Sequence, residues 1–187
     1  MISWRPIGCA SAARMEKMGG TAQRGFRVEI HSGSPTLWAR CGEEILEVER
    51  SAFVNPDERL PREVLERDVS DPTTIVGLLT CGGTLTGFTY LELPSRVSPG
   101  RDHEDADVRH VSDTAIRREL QGTRLVGTLM SMVEVELAAR GVRFLTRNAK
   151  IPSGYADKVA RHYRDRIIER HDHESPWGPQ RWFRIKL

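Results

Sequence analysis

The sequence predicts one mixed α/β domain of the α+β kind, a single sheet covered by helices. Three observations carry this. Short stretches alternate apolar and polar residues with period two. Longer ones repeat apolar residues at helical spacing. The two kinds intermingle along the chain with no internal repeat. With 187 residues and 39% hydrophobic content, the chain can bury a core.

Residues 1–22 are small, polar and aperiodic, and are expected to form a disordered arm ahead of a single domain over 23–187. The opening MISWRPIGCASAARMEKMGG carries basic residues but lacks the apolar middle of a secretory signal. FRVEIHSG alternates Phe26, Val28 and Ile30 against Arg27, Glu29 and His31, the pattern of a half-buried strand. SPTLWARCGEEILEVERSAF brings Leu37, Ile45, Leu46 and Val48 to helical spacing, and LPREVLERDV reads as a short helix with Pro61 at its first turn. TTIVGLLTCGGTLTGFTYLEL is two strands about a Gly82-Gly83 turn. A polar loop leads to a fourth strand over 108–116.

LVGTLMSMVEVELAARG is the clearest helix: Leu125, Leu129, Met132, Val133 and Leu137 share a face, and Gly141 stands where a C-terminal cap belongs. VRFLTRN gives a fifth strand. SGYADKVARHYRDRI reads as a helix with Tyr155, Val159 and Tyr163 one turn apart. QRWFRIKL is a closing strand with Phe183, Ile185 and Leu187 inward, after the tight SPWGP turn.

Charged residues make up 29% of the chain and nearly cancel, at a net +2, which gives no electrostatic case for a nucleic-acid binder. No apolar run approaches the roughly 20 residues of a membrane span. Cys9, Cys41 and Cys81 are widely spaced with no CxxC pair, the usage of reduced thiols in a cytoplasmic protein without a zinc site. His171 and His173 in HDHE have ligand-type chemistry, but their spacing in what reads as a polar turn gives no metal site.

VSDTAIRRELQGTRLVGTLM, residues 111–130, runs from a strand through a charged turn into a helix. A helix start leaves amide hydrogens unpaired and carries partial positive charge, and a glycine there admits a phosphate close to the backbone. GTRLVG is neither a phosphate loop, since no Lys-Ser/Thr follows, nor a dinucleotide fingerprint, since its glycines are missing.

The same stretch resembles the acetyl-CoA motif of the GNAT superfamily of N-acetyltransferases. In that family a strand ending in Ala-Val precedes a charged turn and Arg/Gln-x-x-Gly-x-Gly/Ala at the start of a long helix. Ala115-Ile116 match the strand end, Gln121 the Arg/Gln and Leu125 the buried aliphatic. Arg124 stands where the family has glycine, Val126 replaces Gly/Ala, and Gly127 falls one place later. RFLTRN, the helix after it and the last strand WFRIKL are similar to the family's later elements, so the resemblance covers about residues 25–187.

The resemblance implies a mostly antiparallel sheet of about six to seven strands and direct acetyl transfer from acetyl-CoA to an amine, without a metal. It places the co-substrate on Ala115, Ile116, Arg117, Gln121, Gly122, Thr123, Arg124, Leu125, Val126, Gly127 and Thr128. Backbone amides grip the pyrophosphate, and an amide at Ile116 holds the oxyanion. Arg124 is either a phosphate partner or a solvated side chain that weakens the site. Tyr163 takes the family's tyrosine position as the acid that protonates the leaving thiolate. His110 and Asp113 are the candidates to receive the amine's proton, and regular alternation sets them on opposite faces of the fourth strand. Asp102, Glu104, Asp105 and Asp107 border the family's acceptor groove and would favour a small cationic amine. Alternatives are a macromolecular amine (a protein or aminoacyl-tRNA) or a degenerate module without catalysis. A homodimer is a further family expectation.

Overall fold

The computed structural model describes residues 25–98 and 100–187; the expected arm over 1–22 lies outside the described residues. Seven strands form one sheet: β1 (Phe26–Ser32), β2 (Ile75–Cys81), β3 (Thr84–Glu92), β4 (Val108–Ile116), β5 (Phe144–Lys150), β6 (Ile167–Ser175) and β7 (Gly178–Lys186). Their order across the sheet is β1-β2-β3-β4-β5-β7-β6. Every neighbouring pair is antiparallel except β4 and β5. The helices are α1 (Pro35–Ala52), α2 (Arg62–Ser70), α3 (Pro94–Val97), α4 (Leu125–Ala139) and α5 (Tyr155–His162).

Local chemistry sets most boundaries. Ser34 caps α1 by accepting from the Leu37 amide at 3.1 Å, with Pro35 at the first helical position. Gly82 and Gly83 both take positive φ in the two-residue turn between β2 and β3. α4 ends in paired bonds, Gly141 N–H to Ala138 and Val142 N–H to Leu137, the Schellman arrangement.

Two cores lie on the two faces of the sheet. α1 and α2 bury Trp38, Ile45, Val48, Leu65 and Val69 against Val76, Phe88 and Tyr90. α4 and α5 bury Leu129, Val133, Leu137 and Val159 against Leu79, Leu91, Val111 and Leu145. α4 lies so close to β2 that a Cβ on Gly77 would come within 2.8 Å of a Val133 methyl. Gly77→Ala is therefore expected to cost about 1–3 kcal/mol by overpacking. Urea unfolding would show it as a lower midpoint, and an unchanged midpoint would mean that α4 rides higher than described.

The fold departs from the sequence expectation in three places. β6 was not anticipated: it is an edge strand, open on both faces for most of its length, and so shows no apolar alternation. HDHE belongs to this strand rather than to a polar turn: His171 stacks on Trp182 and Asp172 pairs with Arg181. α5 stops at His162, with Tyr163 as its cap residue. Among the described residues, no helix is long and apolar enough to cross a membrane.

Candidate functional site

β4 and β5 are parallel neighbours that pair only from Val108↔Phe144 to Val111↔Arg147. Beyond that rung β4 runs on to Ile116 and β5 to Lys150 with no pairing between them. The sheet therefore opens in a V toward the end where α4 begins. Backbone groups on the facing edges of the V have no strand to bond, so this is the natural place for a ligand to add its own polar groups.

At the vertex, β4 carries a bulge. Tyr90 faces Asp113 and Leu91 faces Val111, which leaves Ser112 as an extra residue. His110 pairs across from Glu92 and Asp113 from Tyr90, two residues on one face of β3. His110 and Asp113 consequently share the α1/α2 face, contrary to the alternation expected from sequence. The inserted residue shifts the alternation by one position.

The environments of those two groups differ. The Nδ1 of His110 meets the Thr146 hydroxyl at 2.9 Å. Burial, then the charges of Arg147 and Arg101, push its imidazole down to about 4, so it is neutral near pH 7. One Asp113 oxygen accepts from the Thr114 amide at 2.7 Å. The other meets the carboxyl of Glu49, which hangs from α1 and accepts from the Leu60 amide at 2.9 Å on its far oxygen. Two carboxyls in contact need a shared proton. Glu49 is raised far above the ordinary range by burial and by the Asp113 charge, and Asp113 is raised less, by burial. Near neutral pH the pair shares one proton between its two carboxyls.

Nearby acids are already engaged. Arg96 pairs with Asp68, Asp71 and Glu92, and Ser112 donates to Glu92 at 2.6 Å. In the loop before β4, Asp105 holds the amide and hydroxyl of Ser95, Asp107 pairs with Arg143 at 3.2 Å, and Glu104 with Arg184 at 3.0 Å. No cation contacts the Glu49–Asp113 pair among the described residues.

At the open end, the chain turns through Gly122, whose φ of +78° is a left-handed conformation natural only to glycine. Thr123 donates its hydroxyl to Leu120 and accepts weakly from the Leu125 amide at 3.4 Å. Thr128 makes the first intrahelical bond, to Arg124, so the amides of Val126 and Gly127 belong to the orphan donors of the first turn. α4 starts with Arg124 at its cap position and has no acid in its first turn, so its positive end faces a cation and favours an anion. Gln121 is turned away: its amide donates to Ala52 and Ile116 carbonyls at 3.1 and 3.2 Å, stapling the turn to α1 and β4. Arg117 likewise donates to the Leu85 carbonyl and pairs with Glu47. Ala115 is buried with the α1/α2 core, and Ile116 is buried on the opposite face. A cleft of about 670 Å³ beside the turn is lined by Arg50, Arg59 and Arg118, with Ser51, Val54 and Glu119.

On the α4/α5 side of the V, the Tyr163 hydroxyl donates to Glu134 at 2.6 Å, and Arg166 holds the other Glu134 oxygen at 2.8 Å. Burial and the Glu134 charge raise the Tyr163 phenol well above its ordinary value. Arg147 donates to the Tyr155 hydroxyl at 2.6 Å. The sequence reading missed Glu49, Thr146, Arg147 and Tyr155. Glu49 and Arg147 did leave a signal: each is a charge at an inward position, in the Ile45-Val48 stripe of a helix and beside Leu145 in a strand. Among the described residues, no three His, Cys, Asp or Glu side chains converge to hold a metal ion.

No family model matches the sequence, and no curated protein matches it either. Solved structures do match. The ribosomal-protein-S18-alanine N-acetyltransferase of Escherichia coli superposes with a TM-score of 0.59 at 15% identity, covering 86% of this chain and 93% of that one. A GNAT family acetyltransferase from Elizabethkingia anophelis with acetyl-CoA bound gives 0.57 at 11%, covering 87% and 98%. An aminoglycoside acetyltransferase from an uncultured soil metagenomic sample, in complex with sisomicin, gives 0.57 at 12%, covering 73% and 85%. At these identities the likeness is one of fold: the chain has the GNAT acetyltransferase fold.

Proposed function

We propose that the chain is a GNAT-family acyltransferase that moves an acetyl group from acetyl-CoA directly to a primary amine. One observation carries the reading. The two parallel neighbours β4 and β5 part at a vertex that has the amide-lined turn of α4 at its open end and a one-proton acid pair on its opposite face. The shared fold with an acetyl-CoA complex supports the donor.

The residues divide the work. The Gly122–Gly127 amides and the positive end of α4 favour the pyrophosphate, and Arg124 stands beside them as a charged partner. Asp113 receives the proton of the ammonium group, directly or through water, while Glu49 keeps its own proton and holds Asp113 in place. The freed nitrogen attacks the thioester carbonyl. Amides on the open edge of β4, with Ile116 the family position, receive the oxyanion. Collapse expels the thiolate, which then needs a proton.

A small cationic amine is the acceptor that this arrangement favours, because the acid pair has no cation of its own. A structural relative holding sisomicin supports that class. Calorimetry with acetyl-CoA, followed by thiol release over polyamines, aminoglycosides and peptides, tests the proposal. Saturable binding and thiol release with a small polyamine or aminoglycoside are expected. No binding at millimolar acetyl-CoA would overturn the reading, and release with peptides alone would overturn the acceptor class.

A further inference from the structure

Among the described arginines, only Arg147 is more than nine-tenths buried, at 5% exposure. Burying a guanidinium is costly unless a counter-charge meets it. Arg96, Arg117, Arg181 and Arg184, whose side chains are a quarter exposed or less, each pair with a carboxylate. Arg147 pairs with none. Its Nη2 donates to the phenolic oxygen of Tyr155 at 2.6 Å, its guanidinium lies 5.2 Å from that ring's centre, and its buried Nε has no partner. The molecule thus carries a desolvated cation that lacks a contacting negative partner among the described residues, Asp113 acting on it only at longer range.

Its position says when that partner arrives. Arg147 closes the last rung between β4 and β5. Leu145 and Ala149, on the same side of β5, pack into the core with α4 and α5. The guanidinium therefore lies at the vertex on the α4/α5 side, across the sheet from Glu49 and Asp113. In acyl transfer, positive charge leaves from the amine and negative charge appears on the departing sulfur. A fixed cation placed where negative charge develops stabilises that stage selectively.

The two tyrosines beside it differ in which way their hydroxyls point. Tyr163 is 2% exposed and gives its proton to Glu134, whose second oxygen is held by Arg166. Tyr155 accepts from Arg147, so its own proton is free to be donated, and it is only half-buried.

We infer that Tyr155 is the proton donor to the leaving thiolate and that Arg147 is the positioning residue that aims this phenol and balances its charge. The inference rests on the acyl-transfer reading above. When the carbon–sulfur bond breaks, the sulfur's electron pair takes the Tyr155 proton. The phenolate left behind is held by the Arg147 donor, and it regains a proton from solvent as product leaves. The charged and titratable groups within electrostatic reach of Arg147 are Tyr155 and Tyr163 on its own side and, through the sheet, His110 and Asp113 from β4.

Free coenzyme A is the probe. Titrating the thiolate absorbance of the bound thiol in the intact protein requires no acceptor. In the wild type the bound thiol is expected to ionise about one pH unit or more below the free thiol. Arg147→Met should abolish that shift and Arg147→Lys should restore part of it. With an accepted amine, Tyr155→Phe and Arg147→Met should each lower kcat by roughly 100-fold with little change in acetyl-CoA affinity. That retained affinity shows that the variants fold. Tyr163→Phe should lower the unfolding midpoint and cost less turnover than Tyr155→Phe. A thiol titration unaltered by Arg147→Met, or a larger loss of turnover for Tyr163→Phe, overturns the assignment alone. A wild-type chain that binds no coenzyme A overturns the acyltransferase reading and this assignment with it.

Discussion

Asp113→Asn is expected to lower kcat/KM for the accepted amine by roughly 10²–10⁴-fold, the usual worth of a positioned base. Acetyl-CoA affinity should stay near the wild-type value, because Asp113 lies on the face opposite α4. Stability should hold or rise, since the substitution removes a buried charge while an amide can still bond the Glu49 carboxyl. The wild-type pH profile should show an acid limb between the ordinary carboxylate range and neutrality, reflecting the raised Asp113. The variant should lose that limb. Turnover within threefold of wild type would remove Asp113 from the proton path.

The second large effect concerns stability. Folded Glu49 keeps its proton far above the value near 4.5 at which an unfolded chain releases it. Over that interval the folded state holds a proton that the unfolded state does not, so stability falls as pH rises, by up to about 1.4 kcal/mol per unit. Glu92, also raised by burial, acts in the same sense. His110 acts in the opposite one: depressed to about 4, it stabilises the fold at higher pH and loses that contribution as pH falls from 6.5 toward 4. The unfolding midpoint of the wild type should therefore decline above about pH 6.5. Glu49→Gln, which keeps a donor toward Asp113 and an acceptor for Leu60, should flatten that decline and be the more stable protein on the alkaline side. Parallel curves for the two proteins would mean that Glu49 ionises normally.

How far the sequence reached follows from what each residue's pattern encodes. β1, α1, α2 and α4 were legible because each buries one face and so alternates or repeats. β2 and β3, buried on both faces, were legible as near-continuous apolar runs about the Gly82-Gly83 turn, and β4 and β5 as apolar-rich stretches between polar segments. β6 has no buried face to betray it, and the end of α5 depended on tertiary packing of Tyr163. In the candidate site, Gly122 and the start of α4 could be read because phosphate chemistry needs a glycine bend and free amides close together in the chain. The acid pair could not, since Glu49 and Asp113 are 64 residues apart (113 − 49) and meet only after α1 lies across β4. His110 and Asp113 were recognised as residue types but set on opposite faces, because a bulge leaves no composition signature. The Arg147–Tyr155 contact spans a turn whose path the sequence did not fix.

The extra residue at Ser112 has a consequence for comparing this chain with others. Upstream of it, odd-numbered positions of β4 such as Val111 look toward α4; downstream, even-numbered ones such as Ile116 do. A single-residue deletion there would restore uninterrupted pairing and, with Asp113 still opposite Tyr90 and Ile116 still opposite Gly87, would leave each downstream side chain in the compartment it already occupies. A homologue whose strand runs unbroken should thus match this chain only through a one-residue gap at position 112, and an ungapped alignment would exchange the two compartments for every residue that follows.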